Sequence, residues 1–188
     1  MDHRAVSAIG PIEESSDEAF GSLPAADFKL AFRNHAAGVA LITADAGDGP
    51  IALTATSVFS ISAEPPLLVF SVSSSSSSAP TLARADTVIV HLLGAAQIDL
   101  ARLGATSGID RFADRSIWDR LITGEPYFPA SPVWIRGKVI NRMEAGSSTV
   151  YAVHALQAKL PEEGAETAPL VYHNRTWHAL GPHSRYDG

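Results

Sequence analysis

The sequence predicts a mainly β fold, an antiparallel barrel with a few flanking helices, and three observations lead there. Between five and seven apolar segments of strand length punctuate the 188 residues, most of them joined by short turns. Helical periodicity is confined to a few short stretches, so strands do not alternate with helices as a parallel βαβ sheet requires. The two longest strand-like segments, 133–142 and 149–160, follow one another through a turn at Gly146, the arrangement of an antiparallel pair.

Taken in order, residues 24–37 form the first helix. Ser22 can cap it, Pro24 suits its first turn, Phe28 and Phe32 recur on one side, and Gly38 stops it. Residues 39–44 are a strand, and the Asp- and Gly-rich run 45–49 is a hairpin turn into the next strand at Ile51. That strand carries a burst of small hydroxyl residues and stops at Pro65 and Pro66. Residues 67–72 are a buried strand, followed by six consecutive serines at 73–78 and a short helical piece at 79–86. Residues 88–93, Val-Ile-Val-His-Leu-Leu, are near-continuously apolar and so are expected to be buried on both faces. Ala96, Leu100 and Leu103 share a helical stripe ending at Gly104, and residues 108–121 are expected to be an irregular helix anchored by Phe112 and Trp118. Three prolines mark 124–132 as a loop. In the first long strand Val133, Ile135, Gly137 and Val139 are expected to face the core, with Trp134, Arg136, Lys138, Ile140 and Arg142 outward. In the second, the apolar stripe is Val150, Ala152, His154, Leu156, Ala158 and Leu160. Two short strands around 169–174 and 176–180 finish the domain. Residues 1–22 read as an acidic arm that buries little, 23–182 as one domain, and 183–188 as a tail.

The totals narrow the function. Hydrophobic residues at 46% and charged residues at 18% are a globular composition, and a net charge of −6 lacks the basic footprint of a nucleic-acid partner. The absence of cysteine removes disulfides, thiolate metal sites and thiol nucleophiles, and fits a cytoplasmic protein. No apolar run approaches the ~20 residues that span a membrane, and the N-terminus lacks the basic start and apolar block of a secretory signal. Dinucleotide, Walker, zinc-protease and serine-hydrolase motifs are missing.

The remaining signal is the stretch 51–66. Thr54 and Thr56 share a strand face, and Ser57, Ser60 and Ser62 extend the hydroxyl supply into a turn. With their backbone amides these groups could cradle a phosphate or a flat heteroaromatic ring, although hydroxyl-rich edge strands also occur without a ligand. The serine run is either a flexible linker or an amide-rich loop of the kind that holds phosphate. Seven histidines form no HxH or HxxxH pair, so no metal is expected. His91 and His154, inside apolar strands, read as satisfied core or interface residues. His173 and His178, with Tyr172, Arg175 and Trp177, are either packing or the rim of an aromatic-ligand site.

In order, the chain shows Phe32-Arg33 before Gly38-Val39, then Leu-Thr-Ala-Thr-Ser at 53–57 with the double proline eleven residues after Thr54. Ser78 and Thr81 follow, then 88–93, Gln97, Asp110-Arg111-Phe112 before a Trp, and Pro-Leu-Val-Tyr at 169–172. This order resembles the flavin reductase-like family, the short-chain FMN-binding split barrels that reduce free flavin with NADH or NADPH. The resemblance covers about residues 28–180. It implies a homodimeric Greek-key split β-barrel, with FMN or FAD at the subunit boundary and reduced flavin passing to a partner monooxygenase. By position, Thr54, Ala55, Thr56 and Ser57 would line the flavin, Ser78 and Thr81 would meet its phosphate, and Arg111 and Phe112 would cover the outer cleft. One departure bears on the nicotinamide. Many members carry Gly-Asp-His where Gly146, Ser147 and Ser148 stand here. A non-catalytic flavin-binding or redox-sensing dimer is therefore the second expectation, and a plain barrel used for protein interaction the third.

Overall fold

The computed structural model describes residues 21–162 and 167–186. Most of the arm expected at 1–22, and the last two residues of the expected tail, lie outside the described residues. The chain divides into two units. One runs to Phe32 and holds most of helix α1 (Ala25–Arg33); the other, from Arg33 onward, contains every strand.

Seven strands of the second unit make one antiparallel sheet. They are β2 (Ala40–Asp45), β3 (Pro50–Ala55), β4 (Phe59–Ser62), β5 (Leu67–Ser73), β6 (Thr87–Leu92), β9 (Val133–Ala145) and β10 (Ser148–Lys159), in the order β3-β2-β6-β9-β10-β5-β4. A small sheet joins β1 (Ala37–Gly38) to β11 (Leu170–His173) and β12 (Thr176–Ala179), and β7 (Asp119–Arg120) pairs with β8 (Pro126–Tyr127). Helices α2 (Ala79–Arg84) and α3 (Ile98–Ala105) connect strands. The mainly β, antiparallel expectation holds.

Alternation along the strands sorts side chains into two cores. Ala40, Ile42 and Ala44 of β2 and Leu53 and Ala55 of β3 meet Phe70, Val72, Val90, Val139, Tyr151 and Val153, so strands from both ends of the sheet order enclose one interior. Leu41 and Ala52 point the other way, into a second core with Ala101, Phe112, Trp118 and Phe128. β6 is buried on both faces, as its apolar run predicts, with Val88, Ile89, Val90 and His91 all fully enclosed. The turn at 45–49 is held by Asp45, whose Oδ1 accepts the N–H groups of Gly47 (2.8 Å) and Gly49 (3.3 Å).

Three expectations are corrected. Residues 108–121 are turns ending in β7, not helix, because Asp110 and Asp114 take backbone amides that a helix would need. Trp134, expected outward, is buried, because the segment around Tyr127 and Phe128 covers the outer face of β9 and β6. In β10 the interior face is Tyr151 and Val153, not the stripe from Val150 to Leu160. Both faces of that strand are apolar, and the stacking of Tyr151 on Phe70 (5.0 Å, 8°) settles which turns in.

Candidate functional site

A groove of about 660 Å³ opens where β3 ends. One wall is the chain from Leu53 to Ser57, a second is the end of β5 (Ser71 to Ser73) with the serine loop at Ser75, Ser76 and Ser77, and a third is the end of α3 with Gly104, Ala105, Ser107, Gly108 and Arg111. Nine of these residues carry hydroxyls and one, Arg111, carries a charge, so the groove suits a neutral ligand rich in hydrogen-bonding atoms with a single anionic point.

The small residues are there for packing reasons as well. Gly104 lets α3 lie directly on β3 and β2. A Cβ at Gly104 would sit 2.4 Å from Thr54 Oγ1 and 2.3 Å from Leu41 Cδ1. At that approach the Thr54 hydroxyl donates to Ala101 O of α3 (2.7 Å). Ser57 spans the gap between the two ends of the sheet. Its Oγ donates to Ser71 O (3.1 Å) and accepts from Ser71 N–H (3.0 Å), doing with a side chain what a strand ladder does with backbone. Thr56 is exposed in the groove, and its hydroxyl has no partner among the described residues.

The serine run is an ordered turn, which excludes the linker reading. Ser76 N–H donates to Ser73 O (3.0 Å), while Ser74 donates through N–H (2.9 Å) and Oγ (3.0 Å) to Ser147 O. Ser147 and Ser148, which stand where the resemblance expects Asp and His, therefore brace the loop from behind, with Ser148 in register with Ser73.

Of the residues expected at a cofactor, the structure gathers Thr54, Ala55, Thr56, Ser57 and Arg111 at the groove. Ser78 and Phe112 line an adjoining recess of about 100 Å³ that shares Ser77 and Arg111 with it. Ser78 is buried with its hydroxyl on Ala52 O (3.4 Å), and Phe112 is mostly core, its ring edge-on to Trp118 at 4.9 Å. Thr81 lines neither space; its hydroxyl donates to Asp48 Oδ2 (3.4 Å), a carboxylate that Arg84 also holds. Ser71, Gly104, Ser107 and Gly108 were not singled out in the sequence. For the last three the signal was the run of small residues from the end of the α3 stripe, while Ser71 gave none.

Arg111 carries the least satisfied polar atom of the site. Its Nη2 donates to Thr106 O (2.6 Å), yet its buried Nε has no hydrogen-bond partner. His91, by contrast, is fully used: Nδ1 meets Leu41 O (2.9 Å) and Nε2 accepts the Phe128 N–H (3.0 Å). Burial holds its pKa down to about 4 against the pull of the Leu41 carbonyl, so it is a neutral core residue. Tyr172 and Trp177 pack on the second core, which gives that C-terminal cluster its packing role, and His173 and His178 stand 5.6 Å apart. No group of three metal-ligating side chains occurs among the described residues, and none of their helices is long and apolar enough to cross a membrane.

Taken together, these features make a curled antiparallel β domain whose hydroxyl-lined groove carries, among the described residues, one charged side chain. Residues 32–181 match the model of the flavin reductase like domain, and the chain belongs to that family. It is similar to an NADH:FMN oxidoreductase of Rhodococcus qingshengii, at 41% identity over 84% of this chain and 83% of the relative. Among solved structures it resembles a flavin reductase domain protein from Arthrobacter sp. FB24, with a TM-score of 0.78 and 34% identity over 84% of this chain and 96% of that one. It also resembles BorF, the flavin reductase component of a bacterial two-component tryptophan halogenase. There the TM-score is 0.74 and the identity 27%, over 82% of this chain and 97% of BorF.

Proposed function

We propose that this protein is a flavin reductase that moves a hydride from NADH to FMN, works as a homodimer, and releases reduced flavin to a separate flavin-dependent oxygenase. The observation that carries the reading is the groove. Its donors are neutral except at Arg111, its exposed Thr56 hydroxyl has no partner among the described residues, and the chain is 41% identical to an NADH:FMN oxidoreductase. Flavin supplies the redox chemistry when bound. The chain's part is to hold the ring against Thr54, Ala55, Thr56 and Ser57 and to leave one side open for a nicotinamide, a positioning role that needs no acid or nucleophile. Ser78, Thr81 and Phe112 then act by fixing the walls. Backbone N–H groups and hydroxyls beside the ring's polar edge favour the charge that arrives with reduction.

The split-barrel reading is supported by the interior shared between the two ends of the sheet and by the Ser57–Ser71 pair that joins them. Dimerisation is supported by an apolar outer face. Phe59 of β4 is in register with Val69, and Val69 with Ala152; Ser71 is in register with Val150, and Val150 with Met143. Phe59 is 59% and Met143 58% exposed there. The face ends at Ser71, itself a groove residue, so a second copy seated on it would complete the site.

Anaerobic mixing of the protein with FMN and NADH tests the activity: loss of the oxidised-flavin absorbance on the time scale of turnover is expected. FMN bound but left oxidised by NADH and by NADPH would instead favour a non-catalytic flavin-binding or redox-sensing dimer. Ser148, standing where the family resemblance leads one to expect an imidazole, is the observation behind that second reading.

A further inference from the structure

The groove wall at Ser75, Ser76 and Ser77 belongs to the segment 74–86, which runs from the end of β5 through α2 to the start of β6. Internal turns give this segment its shape, Ser76 N–H donating to Ser73 O (3.0 Å) and Ala79 N–H to Ser76 O (3.0 Å). Its place comes from its neighbours. On the β2–β3 side Ser78 holds Ala52 O, and Thr81 and Arg84 hold Asp48. On the other side stands the far end of the β9–β10 hairpin, past Lys138, where β6 no longer pairs with β9. That end grips the segment twice. At the entrance Ser147 O accepts the N–H (2.9 Å) and Oγ (3.0 Å) of Ser74. At the exit Arg142 Nη2 donates to Ala85 O (2.6 Å) and Leu82 O (3.4 Å), carbonyls at the C-terminal end of α2, where a cation is favoured. Arg142 pairs with no carboxylate among the described residues. Its guanidinium lies over the ring of Tyr151 (5.8 Å), which is itself stacked on Phe70 in the first core. It lines neither the groove nor the recess.

We propose that Arg142 is a positioning residue for the flavin reaction. It anchors the exit of the segment 74–86 to the β9–β10 hairpin and, with Ser147 at the entrance, holds the serine wall where the flavin meets it. The inference rests on the flavin reading above and deepens it. A wall fixed before the ligand arrives spares the ligand the cost of ordering it. A planar guanidinium that reaches two carbonyls at once suits the task better than an ammonium on a flexible stem.

The test is an FMN titration by fluorescence quenching with the wild type, Arg142→Met, Arg142→Lys and a control, Lys159→Met, each first shown to be folded by urea unfolding. Lys159 also donates to two carbonyls, Pro129 O (3.0 Å) and Ser131 O (3.1 Å), but does not touch the groove or its serine wall. Arg142→Met keeps an apolar stem on Tyr151 and removes the donors, and FMN affinity is expected to fall about 5–20-fold, the scale of one charge-assisted hydrogen bond. Arg142→Lys is expected to recover part of that loss, and Lys159→Met to bind FMN within about twofold of wild type. In turnover, KM for FMN is expected to rise in step while kcat at saturating FMN stays within about threefold, since the wall holds the flavin alike before and during hydride transfer. Unchanged FMN affinity in folded Arg142→Met would overturn the proposal and leave Arg142 a purely stabilising residue. An equal loss in Lys159→Met would overturn it too, by tracing the effect to stability alone. If Arg142→Met does not fold, Ser74→Ala decides. It loosens the other end of the same segment and is expected to weaken FMN binding about 2–5-fold, and an unchanged affinity there overturns the proposal. A wild type that binds no FMN would strike the flavin reading itself, a result distinguishable because it precedes any substitution.

Discussion

At Ser57 and Thr56 two neighbouring hydroxyls do different work. Ser57 gives and receives a hydrogen bond at Ser71, while Thr56 bonds nothing among the described residues. Ser57→Ala strands a backbone N–H and C=O of β5 and is expected to cost about 1–3 kcal/mol in urea unfolding, with flavin affinity changed only as far as the wall moves. Thr56→Val is expected to leave the unfolding midpoint in place and weaken FMN binding by several-fold, one net hydrogen bond being worth about 0.5–1.5 kcal/mol. If the two variants behave alike, the division of labour is wrong. The hydroxyl supply was legible in the sequence, but which oxygens were already committed was not, since Ser71 is fourteen residues from Ser57. His91 was legible as a core residue, and its bonds make it a pH sensor for stability. The folded pKa, held near 4 by burial, lies below the ordinary value of 6.5, so the unfolded chain takes up a proton first as pH falls. Stability is therefore complete above pH 6.5 and is lost progressively toward pH 4, by on the order of 3 kcal/mol for the 2.5-unit gap. Glu125, whose burial is outweighed by bonds from Thr123, Thr87 and Arg136, and Asp45, whose burial is outweighed chiefly by Arg120 and Gly47, titrate below their usual values. They act only at the acid end, which leaves the window between pH 6.5 and 4.5 to His91. Unfolding free energies flat across that window would refute the assignment.

At the scale of elements the strands were legible and their coverings were not. Alternation placed Gly137 and Val139 inward, as observed, and an uninterrupted apolar run announced β6 as buried on both faces. Trp134 was misjudged because its cover, the segment around Tyr127 and Phe128, comes from a proline-rich loop with no periodicity of its own. Residues 108–121 were misjudged because Phe112 and Trp118 anchor a chain of Asp-held turns as readily as an irregular helix, and those turns bring the two rings together at 4.9 Å. Helix α3 is the element whose position decides the groove, and Gly104 decides α3. Gly104→Ala would drive a methyl into Leu41 and Thr54, forcing the helix outward and breaking the Thr54–Ala101 bond. A loss of about 1–3 kcal/mol is expected, as for other overpacked sites, together with weakened flavin binding because one groove wall has moved. Calorimetry paired with an FMN titration checks both; an alanine that leaves stability and affinity unchanged would mean that α3 is not seated as described.

For the whole molecule the open question is what covers the outer face of β4, β5, β10 and β9. Burying an exposed Phe or Met stabilises by roughly 1.5–3 kcal/mol each, so contiguous apolar side chains on one sheet face favour association. A two-fold arrangement would use the same face twice and bring the partner to the Ser71 edge of both grooves. Two copies would then be linked to the ligand: whatever binds the completed groove favours the dimer, and dimerisation favours binding by the same free energy. Met143→Glu and Phe59→Glu place a carboxylate on either side of that face and are expected to convert a dimer into monomers in sedimentation velocity. Their FMN affinity should fall at least about tenfold, a coupling of roughly 1.4 kcal/mol, although neither residue lines the groove. Monomeric variants that bind FMN as tightly as the wild type would show that one chain suffices for the site. A monomeric wild type would assign the face to a different partner, the separate oxygenase being the first to try.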